Sequence, residues 1–146
     1  FGLPLIRDPE FMDPVDVLVL ESTYGNRRHD DAAMADQQLC DIAKRTLARG
    51  GKVLIPSFAL ERAQELIYHL NSLILQGRLP QVPIYVDSPM ANAVAEVFDQ
   101  HQEYLDEGGK KLYAAMGCLT CPPWVHPSIT VNDSKAITAS DKPCIV

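Results

Sequence analysis

The sequence lacks an excess of basic residues and any long apolar run. Its 146 residues include 13 Lys and Arg against 19 Asp and Glu, a net charge of −6. This balance excludes a broad basic surface of the kind that binds nucleic acid by counterion release. A bilayer-spanning helix, which needs roughly 18 apolar residues, is also excluded, and the sequence does not begin with a signal-peptide pattern. We expect one cytoplasmic domain, not associated with membranes, that binds any anion at a local site.

Cysteine and histidine are scarce. Four cysteines are too few for a disulfide framework in a domain large enough to bury a core, so we expect them to be reduced. Cys118 and Cys121 form a lone CxxC in a proline-rich loop rather than at a helix start, which argues against redox or metal chemistry there. The four histidines are scattered and show no metal-binding spacing.

Sequence motifs for common cofactors are missing as well. No GxGxxG follows the first apolar run, and neither GxxxxGK[ST] nor GxSxG occurs. These absences exclude dinucleotide-binding, P-loop and α/β-hydrolase interpretations.

The residues that are present predict an α/β domain. Three short apolar runs are each followed by a segment with helical spacing, which favours a parallel sheet with right-handed crossovers. The predicted strands are 15–20, 52–56 and 83–87; the predicted helices begin at Asp30 or Asp31, after Ser57 and after Ser88, and end at Gly50-Gly51, near Gly77 and at Gly108-Gly109. We expect an open, mostly parallel, three-layer α/β/α architecture.

The remaining residues are less regular. We expect a loop or lid over 110–132, a short helix over 134–140 and the beginning of a strand at 144–146. Because the apolar run at 144–146 is typical of a strand that continues, we expect the sequence to come from a longer protein.

Polar clusters follow the three predicted strands. Ligands bind at the carboxyl ends of parallel strands, so Glu21-Ser22-Thr23, Ser57-Phe58 and Asp87-Ser88 are expected at one edge. Helices beginning there favour an anion such as phosphate, and Arg27-Arg28 and Arg62 could supply local positive charge. Ser57 and Ser88 are equally explained as helix N-caps, and the arginines as solvated surface charges.

Three segments resemble the β-CASP branch of the metallo-β-lactamase superfamily, the RNA-processing nucleases. They are Val17–Arg27, which contains Glu-Ser-Thr-Tyr-Gly, then Gly51–Leu66, then Pro83–Ala91 with Asp-Ser-Pro-Met-Ala. The Leu5–Pro9 segment is similar to the family's sequence after its last acidic metal ligand. The resemblance covers roughly residues 15 to 106, and the CxxC region matches nothing specific.

The resemblance implies a domain organisation and a metal. Residues 1–14 would link to a metallo-β-lactamase domain, and residues 15–146 would form the Rossmann-like β-CASP insertion that caps it. Such enzymes carry two zinc ions, whose ligands would lie outside this sequence, so we expect no metal site in residues 1–146 and no activity from them alone. Single-stranded RNA would thread through the cleft between the two domains and be hydrolysed by a zinc-bridged hydroxide.

The resemblance also implies roles for particular residues. Glu21 would be the catalytic-site carboxylate, holding a histidine outside this sequence in its working tautomer. From helix-terminus physics, we expect the other edge residues to bind substrate: Ser57, Phe58, Arg62, Asp87, Ser88, Tyr24 and Arg27.

Two other classes stay open. The sequence also fits a stand-alone α/β module that binds a nucleotide or phosphorylated ligand at the same edge, with Glu21 and Asp87 around Mg²⁺. A β-CASP-like scaffold without metals, acting as a partner-binding subunit, is the third alternative. Endo- or exonuclease action, DNA as substrate and homo-oligomerisation are not decided by the sequence.

Overall fold

Five helices accompany a sheet of parallel strands in the described part of the chain, which confirms the predicted α/β class. The computed structural model describes residues 4–28 and 34–146, so the predicted caps Asp30 and Asp31 lie outside the described residues. The elements are α1 (Ala35–Ala48), α2 (Arg62–Leu75), β1 (Ile84–Asp87), α3 (Pro89–Gln100), α4 (Glu107–Met116), β2 (Val125–Ser128) and α5 (Val131–Ala139), with a 3₁₀ helix at Gln102–Tyr104. No helix in the described ranges is long and apolar enough to cross a membrane.

The sheet is built from parallel segments. β1 pairs with β2 in register, Ile84 opposite Val125 and Asp87 opposite Ser128. On the other side of β1, Ile145 bridges Ile84 and also Val53, both in parallel orientation. The spatial order is therefore 53–55, 144–146, β1, β2, and it confirms the strands predicted at 83–87 and 144–146.

The core lies where α2 packs on this sheet. Its apolar positions recur at helical spacing, and Ile67, Leu70 and Ile74 are all at least 94% buried. Ile84 and Ile145 contribute the sheet side of the same cluster. Burial of these side chains supplies the main favourable free energy of folding.

The strand predicted at 15–20 is wrong. These residues are extended and exposed, with Val17 at 79% and Val19 at 92% of full exposure. A buried strand needs a backbone partner as well as apolar side chains, and none of residues 4–28 and 34–146 pairs with this segment. The apolar pattern of residues 15–20 identified side chains suited to burial, but it did not identify a strand or helix that packs against them.

The loop predicted over 110–132 is also wrong, because α4 and β2 lie there. Gly108 and Gly109 begin α4 instead of ending the preceding helix, since the Asp106 carboxylate accepts a hydrogen bond from the Gly109 amide and caps α4. The predicted short helix is confirmed as α5, where Thr130 and Asp133 form a capping box.

The cysteines differ from the expectation in part. Cys118 and Cys121 form a disulfide, whereas Cys40 and Cys144 are free and buried. Cys118 and Cys121 are only three residues apart, so their sulfur atoms can meet without help from the rest of the fold. A low cysteine count argues against a disulfide framework but not against this single local bond.

Asn92 joins three elements near the carboxyl edge. Its side-chain amide donates to the carbonyls of Val86, Ser88 and Ser128, at 2.9, 2.9 and 3.3 Å. The side chain is only 9% exposed. We therefore expect Asn92 to fix the junction of β1, α3 and β2.

Replacing Asn92 by Ala should lower the free energy of unfolding by about 2–3 kcal/mol, because buried carbonyls lose their donor. Urea denaturation followed by circular dichroism measures the change. The same substitution at exposed Asn132 of α5 is the matched control and should alter stability by less than about 0.5 kcal/mol. Equal effects of the two substitutions would contradict this role of Asn92.

Candidate functional site

A groove of about 350 Å³ lies between α2 and the carboxyl edge of the sheet. Three of the predicted site residues, Ser57, Asp87 and Ser88, line it. They meet because 53–57 and 84–88 run parallel and end at the same level, as the sheet pairing requires. The groove floor is apolar and includes Ile67 and Ile145. The predicted convergence of two of the three polar clusters is confirmed by this arrangement.

Ser88 is the N-cap of α3, as the sequence predicts. Its hydroxyl accepts a hydrogen bond from the Ala91 amide at 3.2 Å, and Pro89 occupies the first helical position. Pro89 has no amide hydrogen, and the Ala91 and Asn92 amides both donate to Ser88, so the Met90 amide and the positive end of the helix dipole are what this first turn offers beside the groove. An anion placed there would find a donor and a favourable potential.

Ser57 is not the N-cap of α2, so the interpretation of this residue as a helix cap is wrong. The residues after it form a turn, in which the Ala63 amide donates to the Phe58 carbonyl and the Arg62 amide to that of Leu60. The helix begins at Arg62, after Glu61 at φ +66°. Ser57 therefore lines the groove without a capping role.

Phe58 and Arg62 flank the groove but are not among its lining residues. Phe58 is 86% exposed, and the Arg62 side chain is 58% exposed and forms an ion pair with Glu65. The Glu65 side chain is only 13% exposed, so Arg62 supplies a cation to a largely buried carboxylate.

Asp87 has two hydroxyl donors within the chain. Ser128 at the end of β2 donates to Oδ1 at 2.6 Å, and Ser134 of α5 donates to Oδ2 at 2.7 Å. The carboxylate thus connects β1, β2 and α5. Its predicted role in substrate binding stays a prediction, but the structure gives Asp87 a role in holding the edge together.

Glu21, Tyr24 and Arg27 lie in an exposed turn and are not among the described residues that line the groove. The Thr23 amide donates to Glu21 Oε2 at 3.0 Å, and this bond lowers the pKa of the carboxyl group. Arg27 lies over the Tyr24 ring at 4.6 Å, a cation–π contact. Glu21 is therefore an exposed carboxylate that accepts from a backbone amide, and the other two predicted residues contact each other.

Within residues 4–28 and 34–146, no three His, Cys, Asp or Glu side chains are grouped so as to hold a metal ion. These described residues therefore do not supply a metal centre by themselves, and no metal-dependent step is assigned to them.

Sequence reasoning missed the residues that organise the edge. Asn92, Ser128 and Ser134 were not predicted, although Asn92 lies on α3 at a helical spacing from Ser88. Polar side chains that bond to backbone or to a carboxylate carry no motif, so only the fold identifies them.

Comparison with known proteins agrees with the motifs. The Beta-Casp domain family model matches residues 63–146. The ribonuclease TTHA0252 of Thermus thermophilus is 41% identical over 104 residues, 70% of this chain and 23% of that protein. An RNase J-like protein of Methanocaldococcus jannaschii is 42% identical over 86 residues, covering 58% and 20%, and the endoribonuclease ysh1 of Schizosaccharomyces pombe is 36% identical over 104 residues, covering 68% and 13%.

The fold, the groove and the motifs together define a β-CASP type of α/β domain. The chain belongs to the Beta-Casp family. It spans between 13% and 23% of the length of the three curated relatives named above. Family membership does not favour the stand-alone ligand-binding module.

A double-mutant cycle can test the hydrogen bond between Asp87 and Ser128. Each single change to Ala should cost about 1–2 kcal/mol of unfolding free energy, since a charged hydrogen bond is lost. The double change should cost less than the sum of the two, because both single changes remove the same bond. Chemical denaturation of all four proteins gives the coupling energy.

Asp141→Ala, which removes an exposed carboxylate, is the control and should leave stability nearly unchanged. Strict additivity of the Asp87 and Ser128 effects would show that their hydrogen bond does not contribute to the fold.

Proposed function

We propose that this chain is the β-CASP portion of a metal-dependent ribonuclease that hydrolyses phosphodiester bonds of single-stranded RNA in the cytoplasm. Family membership and relatives named as ribonucleases support the reaction class. The observation that carries the proposal at the site is the groove at the carboxyl edge, lined by Ser57, Asp87 and Ser88 at the start of α3. The helix dipole of α3 and the Met90 amide would favour a phosphate there.

The metal would be held elsewhere. We propose two zinc ions, with ligands contributed by residues outside these 146, as the resemblance to the β-CASP nucleases implies; residues 4–28 and 34–146 contain no group of His, Cys, Asp and Glu that could hold one. The present chain would supply one wall of the RNA cleft and, through Glu21, one carboxylate of the catalytic centre. Residues 1–14 would connect to the metal-binding domain.

Glu21 would act by orienting a histidine of the complete enzyme. An ionised carboxylate accepts an imidazole N–H and so fixes the tautomer, and the hydrogen bond from Thr23 lowers the pKa of this carboxyl group further below neutral pH. The exposed position of Glu21 leaves it accessible to such a partner.

Glu21→Gln in the full-length protein should lower the rate of RNA cleavage by roughly 10- to 100-fold, because an amide cannot provide the same charge and acceptor. Single-turnover cleavage of a labelled oligonucleotide measures the rate. Glu10→Gln, which changes another exposed glutamate, is the control and should cleave at the wild-type rate. A Glu21→Gln enzyme within twofold of wild type would refute the role of Glu21.

Phe58 would provide a stacking surface for a base at the entrance of the groove. Its ring is 86% exposed on a turn that the Ala63 amide closes, a position that hydrophobic burial does not explain. Stacking on an exposed aromatic ring is tolerant of sequence and suits a single strand.

Phe58→Ala in the full-length protein should weaken binding of single-stranded RNA by about 1–3 kcal/mol, the contribution of one stacked base. Fluorescence anisotropy with a short oligonucleotide measures Kd. Leu60→Ala is the matched control, because Leu60 lies in the same turn and is 67% exposed but cannot stack. Equal losses for both variants, or none for Phe58→Ala, would contradict base stacking.

A further inference from the structure

The connection between α4 and β2 contains a disulfide that the proposed function does not use. Cys118 and Cys121 are bonded, with their Cα atoms 5.2 Å apart. Cys121 is exposed and Cys118 is half-buried. Of the two cysteines, Cys121 is therefore the one that offers the more exposed side to an external thiolate.

This loop is held in place by hydrogen bonds that do not involve sulfur. Leu119, between the two cysteines, is fully buried, and its carbonyl accepts from the Asn71 side-chain amide at 2.9 Å. Burial raises the pKa of the Asp99 carboxyl group and the Leu119 amide acts to lower it, and this group accepts a hydrogen bond from the Tyr113 hydroxyl at 2.8 Å. The side chain and the carbonyl of the central residue are thus held by the core.

The disulfide adds little to that anchoring. Stabilisation by a cross-link increases with the length of chain that it closes, and this bond closes only three residues. Breaking it should leave Leu119 in its pocket and α4 and β2 in place. A bond that is accessible and not required for the fold has the properties of an exchangeable disulfide rather than of a structural one.

The other two thiols do not compete for exchange. Cys40 and Cys144 are 1% and 2% exposed. The Cys40 thiol donates to the Arg78 carbonyl, and burial raises the pKa of the Cys144 thiol, which disfavours its thiolate. Exchange is therefore restricted to one pair of cysteines.

We propose that Cys118 and Cys121 form a reversible dithiol–disulfide site that exchanges with a dithiol reductant. One thiolate of the reductant attacks Cys121 Sγ, the sulfur–sulfur bond breaks, and its electron pair leaves on Cys118 Sγ, which takes up a proton. The second thiolate of the reductant then attacks the reductant sulfur that is bonded to Cys121 Sγ. This step releases Cys121 as a thiolate, which is protonated. The chain gains two electrons and two protons, and the reductant becomes a cyclic disulfide.

Trp124 gives a signal for this reaction that does not depend on any RNA activity. It is the only tryptophan in the sequence, and its indole N–H donates to Asn71 Oδ1 at 2.8 Å, the residue that also holds Leu119. Reduction of the disulfide should alter the emission intensity of Trp124, while the hydrogen bond from its indole to Asn71 is retained.

The experiment equilibrates the native protein with graded ratios of reduced to oxidised dithiothreitol, followed by an acid quench, alkylation and mass measurement. We expect both thiols to become alkylated together as the ratio rises, Trp124 intensity to change with the same midpoint, and oxidised dithiothreitol to reverse both. The circular dichroism spectrum should not change. Thiols that appear only together with unfolding, or a pair that no oxidised dithiol closes, would overturn the proposal.

Single variants test which sulfur is attacked. In Cys118→Ser the remaining Cys121 should form a mixed disulfide with oxidised glutathione about tenfold faster than Cys118 does in Cys121→Ser, because only Cys121 is exposed. Cys40→Ala, which leaves the pair intact, should titrate as wild type does. Equal rates for the two serine variants would contradict attack at Cys121.

Discussion

The architecture depends on the pairing of Ile145 with two neighbours. Its amide donates to the Pro83 carbonyl and its carbonyl accepts from Tyr85, while the residues on either side of it bond to Val53. Segments 53–55 and β1 do not pair directly with each other. Residues 144–146 therefore bring into one sheet two segments that are separated by a helix, and they make the floor of the groove continuous.

This constraint explains which parts of the fold were predictable. Strand 83–87, the cap at Ser88 and helix α2 are encoded locally, by apolar periodicity and by an N-cap followed by proline. The strand at 144–146 was predictable from the β-branched residues that follow Pro143. Helix α4 was missed because its first turn contains Gly108 and Gly109, which usually end helices, and because its cap at Asp106 was taken for part of the preceding element.

The site was predictable to a smaller extent, for a different reason. Ser57, Asp87 and Ser88 converge because parallel strands end at a common edge, a rule that needs only the order of elements. The partners of Asp87 come from β2 and α5, about 40 residues later in the chain, and no local pattern identifies them. The role of Glu21 rests on the family resemblance and stays a prediction, whereas its lowered pKa follows from a contact only two residues away.

The charge balance limits what this edge can do by itself. With a net charge of −6, the chain as a whole repels a polyanion, and Arg62, beside the groove, is paired with Glu65. The amides at the start of α3 carry only a partial positive charge, whose effect fades within one turn. A phosphate backbone would therefore bind weakly to this surface alone.

An exposed apolar segment, residues 15–20, lies in the same chain, and its side chains are suited to burial against another surface. Both observations are satisfied together if a second unit covers the apolar segment and contributes positive charge opposite the groove.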